Sequence, residues 1–263
     1  MAKKNLATIF FLSFSFFIFS FSFSSAQIDL PSSLLMGQQQ TAPTIKISTN
    51  DLVLVWSANT YVPPGYQGKA LPTYDSMVKV SAMPISKAGT NLDGVIYNWY
   101  LDDSQGATAS GEKAKDFLFK TNAATGTFHS VALKIMDSSS NVLLALTVYV
   151  PVVSPTVALN IEDTKTADAL SSAAEPASIP PGGNAAFIAT PYFFNISNPL
   201  SLNYQWTFDN DTINKTEEKN KFSVKIADGD LTEAFTKTLS VLAVNPFNEI
   251  ERAVGNIEIT IQK

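Results

Sequence analysis

From Leu52 onward the chain alternates apolar and polar residues in short runs, and no long stretch carries a 3.6-residue period with capping signals. Val131, Leu133 and Ile135 alternate with Ala132, Lys134 and Met136, a turn follows at Asp137-Ser-Ser-Ser-Asn141, and residues 143–150 return as a second apolar run. The pattern recurs late in the chain. Leu239, Val241 and Ala243 lead to the turn Asn245-Pro-Phe-Asn248, and residues 249–262 close with Ile257, Ile259 and Ile261 on one face against Glu258 and Thr260 on the other. A period of two places alternate side chains on opposite faces of a strand, so these segments predict half-buried strands paired into hairpins. The 14 prolines and 12 glycines suit many short strands joined by turns. Little helix is expected.

Laid against itself, the chain repeats once. The first copy reads Tyr61-Val-Pro63-Pro64-Gly65, then Val78-Lys-Val80-Ser-Ala82-Met-Pro84, then Tyr97-Asn-Trp99-Tyr-Leu101-Asp102. The second reads Ser178-Ile-Pro180-Pro181-Gly182, then Ala185-Ala-Phe187-Ile-Ala189-Thr-Pro191, then Tyr204-Gln-Trp206-Thr-Phe208-Asp209. The step from the proline to the following tyrosine, Pro84 to Tyr97 and Pro191 to Tyr204, is 13 residues in both. Two long copies indicate a duplicated domain and not a solenoid, which needs at least three short repeats. The expected organisation is a sandwich over residues 44–150, a short proline-containing linker at 151–155, and a second sandwich over 156–263. Two prolines within that linker make it a stiff connection.

Ahead of the repeat, Lys3 and Lys4 precede an apolar, serine-interrupted run from Ile9 to Phe23 that closes on Ser24-Ser25-Ala26. Positive, apolar and small-residue regions in that order predict a cleaved signal peptide over residues 1–26, followed by a polar, glutamine-rich linker at 27–43. The alternative is an uncleaved segment that tethers the protein to the membrane, although the run is shorter than the roughly 20 residues a spanning helix needs. After cleavage no membrane span is expected. The protein is then periplasmic, on the cell surface or secreted. The chain has no cysteine, which removes disulfides, thiolate metal sites and cysteine nucleophiles, and in an exported protein points to a bacterial source. Without residues 1–26 there remain 16 Lys and Arg against 23 Asp and Glu, an acidic balance that offers nucleic acid no broad basic surface.

The motif Tyr-x-Trp-x-Leu/Phe-Asp, at Tyr97-Asn-Trp99-Tyr-Leu101-Asp102 and Tyr204-Gln-Trp206-Thr-Phe208-Asp209, resembles the tryptophan-bearing strand of Ig-like and PKD domains. Gly126-Thr-Phe128, with the strand and turn that follow it, is similar to a later part of the same pattern. The Gly-Asp-Gly that follows the tryptophan strand in typical PKD domains is absent from both copies, as is the cysteine pair of antibody-type domains. The resemblance implies an all-β protein of two tandem Ig-like (PKD-like) β-sandwiches. It also implies a structural, adhesion or interaction role among exported or envelope proteins.

Candidate chemistry is thin. Tyr97 and Trp99, like Tyr204 and Trp206, lie two residues apart on one strand face, which in a sandwich is the core. Trp56 has no tryptophan counterpart in the second copy, and with Tyr61, Tyr66 and Tyr74 it marks a region of extra loop. From the Pro-Pro-Gly turn to Tyr-x-Trp the first copy takes 34 residues and the second 24. Tyrosine-bearing loops suit recognition, so these four aromatics are the candidate ligand site and glycans the alternative partner. Oxygen donors gather at Asp209, Asp211, Asp228 and Asp230, where calcium is conceivable, but Ile213 stands where a calcium loop needs a ligand, and turn chemistry accounts for these residues. His129 is the only histidine. No HExxH, GxSxG or phosphate-binding loop occurs, so no residue is assigned a catalytic or cofactor-binding role. The expectation is a non-enzymatic protein without a cofactor, with a carboxylate-dependent hydrolase as the remaining alternative.

Overall fold

The computed structural model describes residues 47–85, 92–105, 110–162, 176–214, 216, 218–229 and 233–263. The expected signal peptide and polar linker, and Asp230, lie outside the described residues. Residues Ile45–Lys263 form one compact unit built almost wholly of strands, arranged as two successive Ig-like β-sandwiches.

In the first, β1 (Leu52–Ala58), β2 (Met77–Pro84) and β6 (Asp116–Lys120) make one sheet in the order β1-β2-β6. The facing sheet runs β4-β3-β7-β8, from β3 (Ile96–Leu101), β4 (Ser104–Gln105), β7 (Phe128–Met136) and β8 (Val142–Pro151), with the short β5 (Gly111–Glu112) also on β3. The second sandwich repeats the scheme. One sheet is β9 (Thr156–Ile161), β11 (Asn184–Tyr192) and β14 (Lys221–Lys225), in the order β9-β11-β14. The other runs β13-β12-β15-β16-β10, from β10 (Ala177–Ile179), β12 (Asn203–Phe208), β13 (Asp211–Ile213), β15 (Phe235–Asn245) and β16 (Asn248–Ile261). Adjacent strands are antiparallel except β10, which lies parallel to β16. Each sandwich closes over its own apolar cluster, one including Val80, Trp99, Leu133 and Ile135 and the other Phe187, Trp206, Val241 and Ile259.

The likeness of the two halves reaches the level of single hydrogen bonds. Trp99 and Trp206 are 0% and 1% exposed, and each indole N–H donates to a carbonyl just before a strand of the facing sheet, that of Ala114 before β6 at 2.8 Å and of Lys219 before β14 at 3.0 Å. Each ring packs on a phenylalanine, Phe117 and Phe222, at the same centroid distance of 5.7 Å. The neighbouring carbonyls, of Lys115 and Asn220, accept from the N–H of Ala82 and Ala189. An indole N–H inside an apolar layer needs an acceptor, and both halves solve that requirement in the same way. Tyr97 is buried and Tyr204 half-buried.

The acidic residues after the tryptophan strands are turn formers. Asp102-Asp103 and Asp209-Asn210 are two-residue loops whose residues all have positive φ, between 47° and 72°. Such loops match the twist of the flanking strands, and Asp and Asn tolerate the left-handed region better than other non-glycine residues. Each leading Asp also donates its N–H across to the next long strand, to Ser130 and Thr238 carbonyls, and its carboxylate meets the residue before them: His129 in one copy, Lys237 in the other.

Candidate functional site

Alternation on β1 turns Leu52, Leu54, Trp56 and Ala58 inward, and Trp56 packs at the margin of the first core. Lys69 lies over its ring with Nζ 3.3 Å from the centroid, and burial there lowers the lysine pKa. Tyr61 is half-buried, and desolvation raises its phenol above the ordinary tyrosine value. Tyr66 packs edge-on against Tyr192 and Phe193, at 5.6 and 5.9 Å. Tyr74 is the exposed member of the four, at 43%. These rings do not form one open face. Three of them are engaged with neighbouring side chains or the second sandwich, and the region that carries them runs across the junction between the two halves.

That junction carries a polar network drawn from both halves. Tyr61 donates its N–H to the Phe194 carbonyl and accepts from the Phe193 N–H, both at 2.7 Å. Phe193 sits at φ 62° and is 6% exposed, an uncommon conformation for a bulky residue that tertiary contacts must hold. The Tyr204 phenol donates to the Pro199 carbonyl at 3.0 Å. Burial holds its pKa well above the ordinary range, and the neighbouring Tyr61 adds to the rise.

Beside these rings lies Glu251, 4% exposed on β16. Its Oε1 accepts from the Thr73 hydroxyl at 3.0 Å and the Asn195 N–H at 2.6 Å, and its Oε2 accepts from Asn245 Nδ2 at 2.6 Å. Behind Thr73, the hydroxyls of Ser76 and Thr121 continue the network into the first sandwich, Thr121 donating to the Thr73 carbonyl at 2.6 Å. A buried carboxylate is tolerable only when hydrogen bonds replace its water, and here three do. A shallow cavity of about 90 Å³ borders this network, lined by Thr73, Tyr74, Val153, Ile250 and Arg252 among others. Sequence reasoning passed over Glu251. The signal was present, since the inward register of Ile261, Ile259 and Ile257, run backward in steps of two, arrives at Gly255, Ala253 and Glu251.

His129 is buried at 1% and fully engaged. Its Nε2 accepts from the N–H groups of Asn122 and Ala123, both at 3.2 Å, which leaves Nδ1 as the donor to Asp102 Oδ2 at 2.6 Å. A histidine whose two nitrogens are both committed inside the fold holds the turn at residues 102–103 in place. Asp209 pairs with Lys237, Asp211 is exposed on β13, and Asp228 lies against Gly182. No group of three or more His, Asp or Glu side chains among the described residues is placed to share a metal ion. A cavity of about 240 Å³ on the second sandwich is lined by Lys221 with Glu162 and Glu218, which raise the lysine pKa through hydrogen bonds. Among the described residues no helix is long and apolar enough to cross a membrane.

On the first sandwich, the outer face of the β1-β2-β6 sheet carries apolar side chains in open solvent. Val53 stands opposite Met83 in the pairing register, with Val55 two residues on. They are 41%, 49% and 42% exposed. Ser81, Asp116 and Lys79 border them, joined by a 2.6 Å Ser81–Asp116 hydrogen bond and a 2.9 Å Lys79–Asp116 ion pair, and both partners lower the Asp116 pKa.

No protein-family model matches the chain, and no curated protein matches it in sequence. Solved structures resemble it in fold. The three N-terminal domains of the bacteriophage RB49 Highly Immunogenic Outer Capsid protein are 11% identical over 80% of this chain, with a TM-score of 0.38. Fibronectin(III)-like modules of Clostridium thermocellum CbhA are 16% identical over 79% of this chain and 93% of that one, with a TM-score of 0.25. The Bacteroides ovatus SGBP-B, solved in complex with a mixed-linkage heptasaccharide, is 11% identical over 80% of this chain, with a TM-score of 0.23. The chain spans 59% of the phage structure and 47% of the Bacteroides one.

Proposed function

We propose that this is an exported, non-enzymatic interaction protein, in which two tandem sandwiches present a binding face to another envelope or extracellular protein. The observation that carries the reading is the outer face of the β1-β2-β6 sheet. Val53, Val55 and Met83 expose apolar surface side by side, rimmed by the Ser81–Asp116–Lys79 cluster. An apolar centre with a polar, hydrogen-bonded rim is the anatomy of protein interfaces, and scattered exposed apolar residues do not need to adjoin in this way. Export rests on the sequence pattern of residues 1–26.

The test places a photo-crosslinking residue at Met83, and separately at Asn256 on the second sandwich, in the cells that make the protein. Adducts to a partner protein from position 83 and none from 256 are expected, together with an N-terminus beginning at Gln27. Adducts that are equally frequent at both positions, or absent from both in an intact chain, would refute the reading. Retention on a glycan column with no protein adduct would favour carbohydrate binding instead.

A further inference from the structure

We infer that the segment 59–76 is a clasp that fixes the two sandwiches as one rigid body, and that Glu251 is the pin it closes on. This goes beyond the interaction reading and does not depend on it. In the second copy the residues before Pro-Pro-Gly form β10, which adds to the edge of its own sheet beside β16. In the first copy the matching residues leave their own sandwich. Tyr61, immediately before Val62-Pro63-Pro64-Gly65, exchanges two backbone hydrogen bonds with Phe193 and Phe194 of the second sandwich. Tyr66 covers Tyr192 and Phe193, Thr73 donates to Glu251, and the Asp75 carbonyl accepts from Asn195 Nδ2 at 3.1 Å. The Val153 N–H, in the covalent connection between the halves, donates to the Pro72 carbonyl at 2.9 Å. A short proline-stiffened connection limits bending between domains but does not by itself fix their orientation, so contacts of this number and directionality have a mechanical consequence.

Glu251 is the pin because its carboxylate is met by all sides at once: Thr73 from the clasp, and Asn195 and Asn245 from the second sandwich. Every partner is a donor. Asn245 cannot turn its amide round, because its Oδ1 already accepts from the Phe247 N–H at 3.0 Å. In Glu251→Gln the new NH₂ therefore faces a donor whichever way it points, either Asn245 Nδ2 or the Asn195 N–H. Replacing Asn245 by Asp in the same chain restores complementarity: one carboxylate oxygen keeps Phe247 and the other accepts from the new Gln.

The chain's lack of cysteine lets Thr147→Cys and Asn256→Cys carry the only two spin labels, one exposed site on each sandwich. Pulsed dipolar spectroscopy of the otherwise native chain is expected to give one narrow distance distribution. Glu251→Gln and, separately, Tyr66→Ala should broaden it, and Asn245→Asp with Glu251→Gln should return it to the narrow form. A broad distribution in the parent, a narrow one in Glu251→Gln, or a double variant as broad as the single one would overturn the assignment. Should Glu251→Gln fail to fold, Tyr66→Ala leaves the carboxylate untouched and decides on its own, a narrow distribution there counting against the clasp.

Discussion

Replacing Trp99 by Phe, and in a separate chain Trp206 by Phe, tests whether the two halves are energetic as well as geometric copies. The indoles are almost equally buried, pack on equivalent phenylalanines at the same 5.7 Å, and donate over nearly equal distances to equivalent carbonyls. A phenyl ring fills roughly 40 Å³ less than an indole, which at about 24 cal/mol per Å³ of unfilled space costs about 1 kcal/mol. The carbonyl of Ala114 or Lys219 loses its donor, adding about 1–3 kcal/mol if no water replaces it. Each substitution is therefore expected to destabilise its sandwich by about 2–4 kcal/mol, with the two losses of similar size. Urea denaturation followed by far-ultraviolet circular dichroism reads both, without relying on the fluorophore being removed. Losses below about 0.5 kcal/mol, the range of ordinary surface changes, would refute the assigned role of the indoles. A large loss at one site with none at the other would refute their equivalence.

Two further outcomes follow from the same geometry. Tyr204 and Tyr61 both have phenol pKa values raised by burial from the ordinary 10.0, so the folded state holds their protons more tightly than the unfolded chain does. Their contribution is complete below pH 10 and is lost as pH rises from there through the folded-state values. Unfolding midpoints should fall above pH 10, and less steeply in Tyr204→Phe; a midpoint that does not fall between pH 10 and 11 would count against this. Gly255 of β16 passes so close to β9 that a Cβ would stand 2.7 Å from the Val157 carbonyl oxygen, a backbone atom that cannot swing aside. Gly255→Ala should cost about 1–3 kcal/mol as overpacking, measured by thermal unfolding, and a neutral result would mean the two sheets separate more easily than their packing implies.

The elements that the sequence made legible are those in which local pattern and tertiary role agree. Period-two alternation on β7, β15 and β16 survives because one face is core and the other solvent, so burial and pattern report the same fact. The tryptophan strands were legible for a stronger reason, since a large ring with one donor has few places to go in a thin sandwich. Asp102-Asp103 and Asp209-Asn210 were readable as turns, although their positive φ values supply what a glycine usually does. Glu251 was harder to see: its place in the register carries no sign of its partners, and only the donors arriving from other segments make it a buried carboxylate. Thr73 lies 178 residues away from it.

Pro-Pro-Gly shows where such reading stops. The same three residues end the same kind of segment in both halves, and a local argument must assign both the same place. What separates them is the neighbour available to the preceding residues. In the second copy Ala177 and Ile179 have apolar side chains 2% exposed that seal the sheet beside β16, so the strand stays at home. In the first copy the matching residues are Thr60 and Val62, with Tyr61 between them at the place of Ser178, and the second sandwich meets Tyr61 with the Phe193 N–H and the Phe194 carbonyl and gives Tyr66 an aromatic surface. The two halves differ in which sandwich this segment serves. The extra loop length that marked the first copy as a recognition region therefore includes the stretch that recognises the protein's own second half, while Val53 and Met83 stand open on the outer face of the β1-β2-β6 sheet.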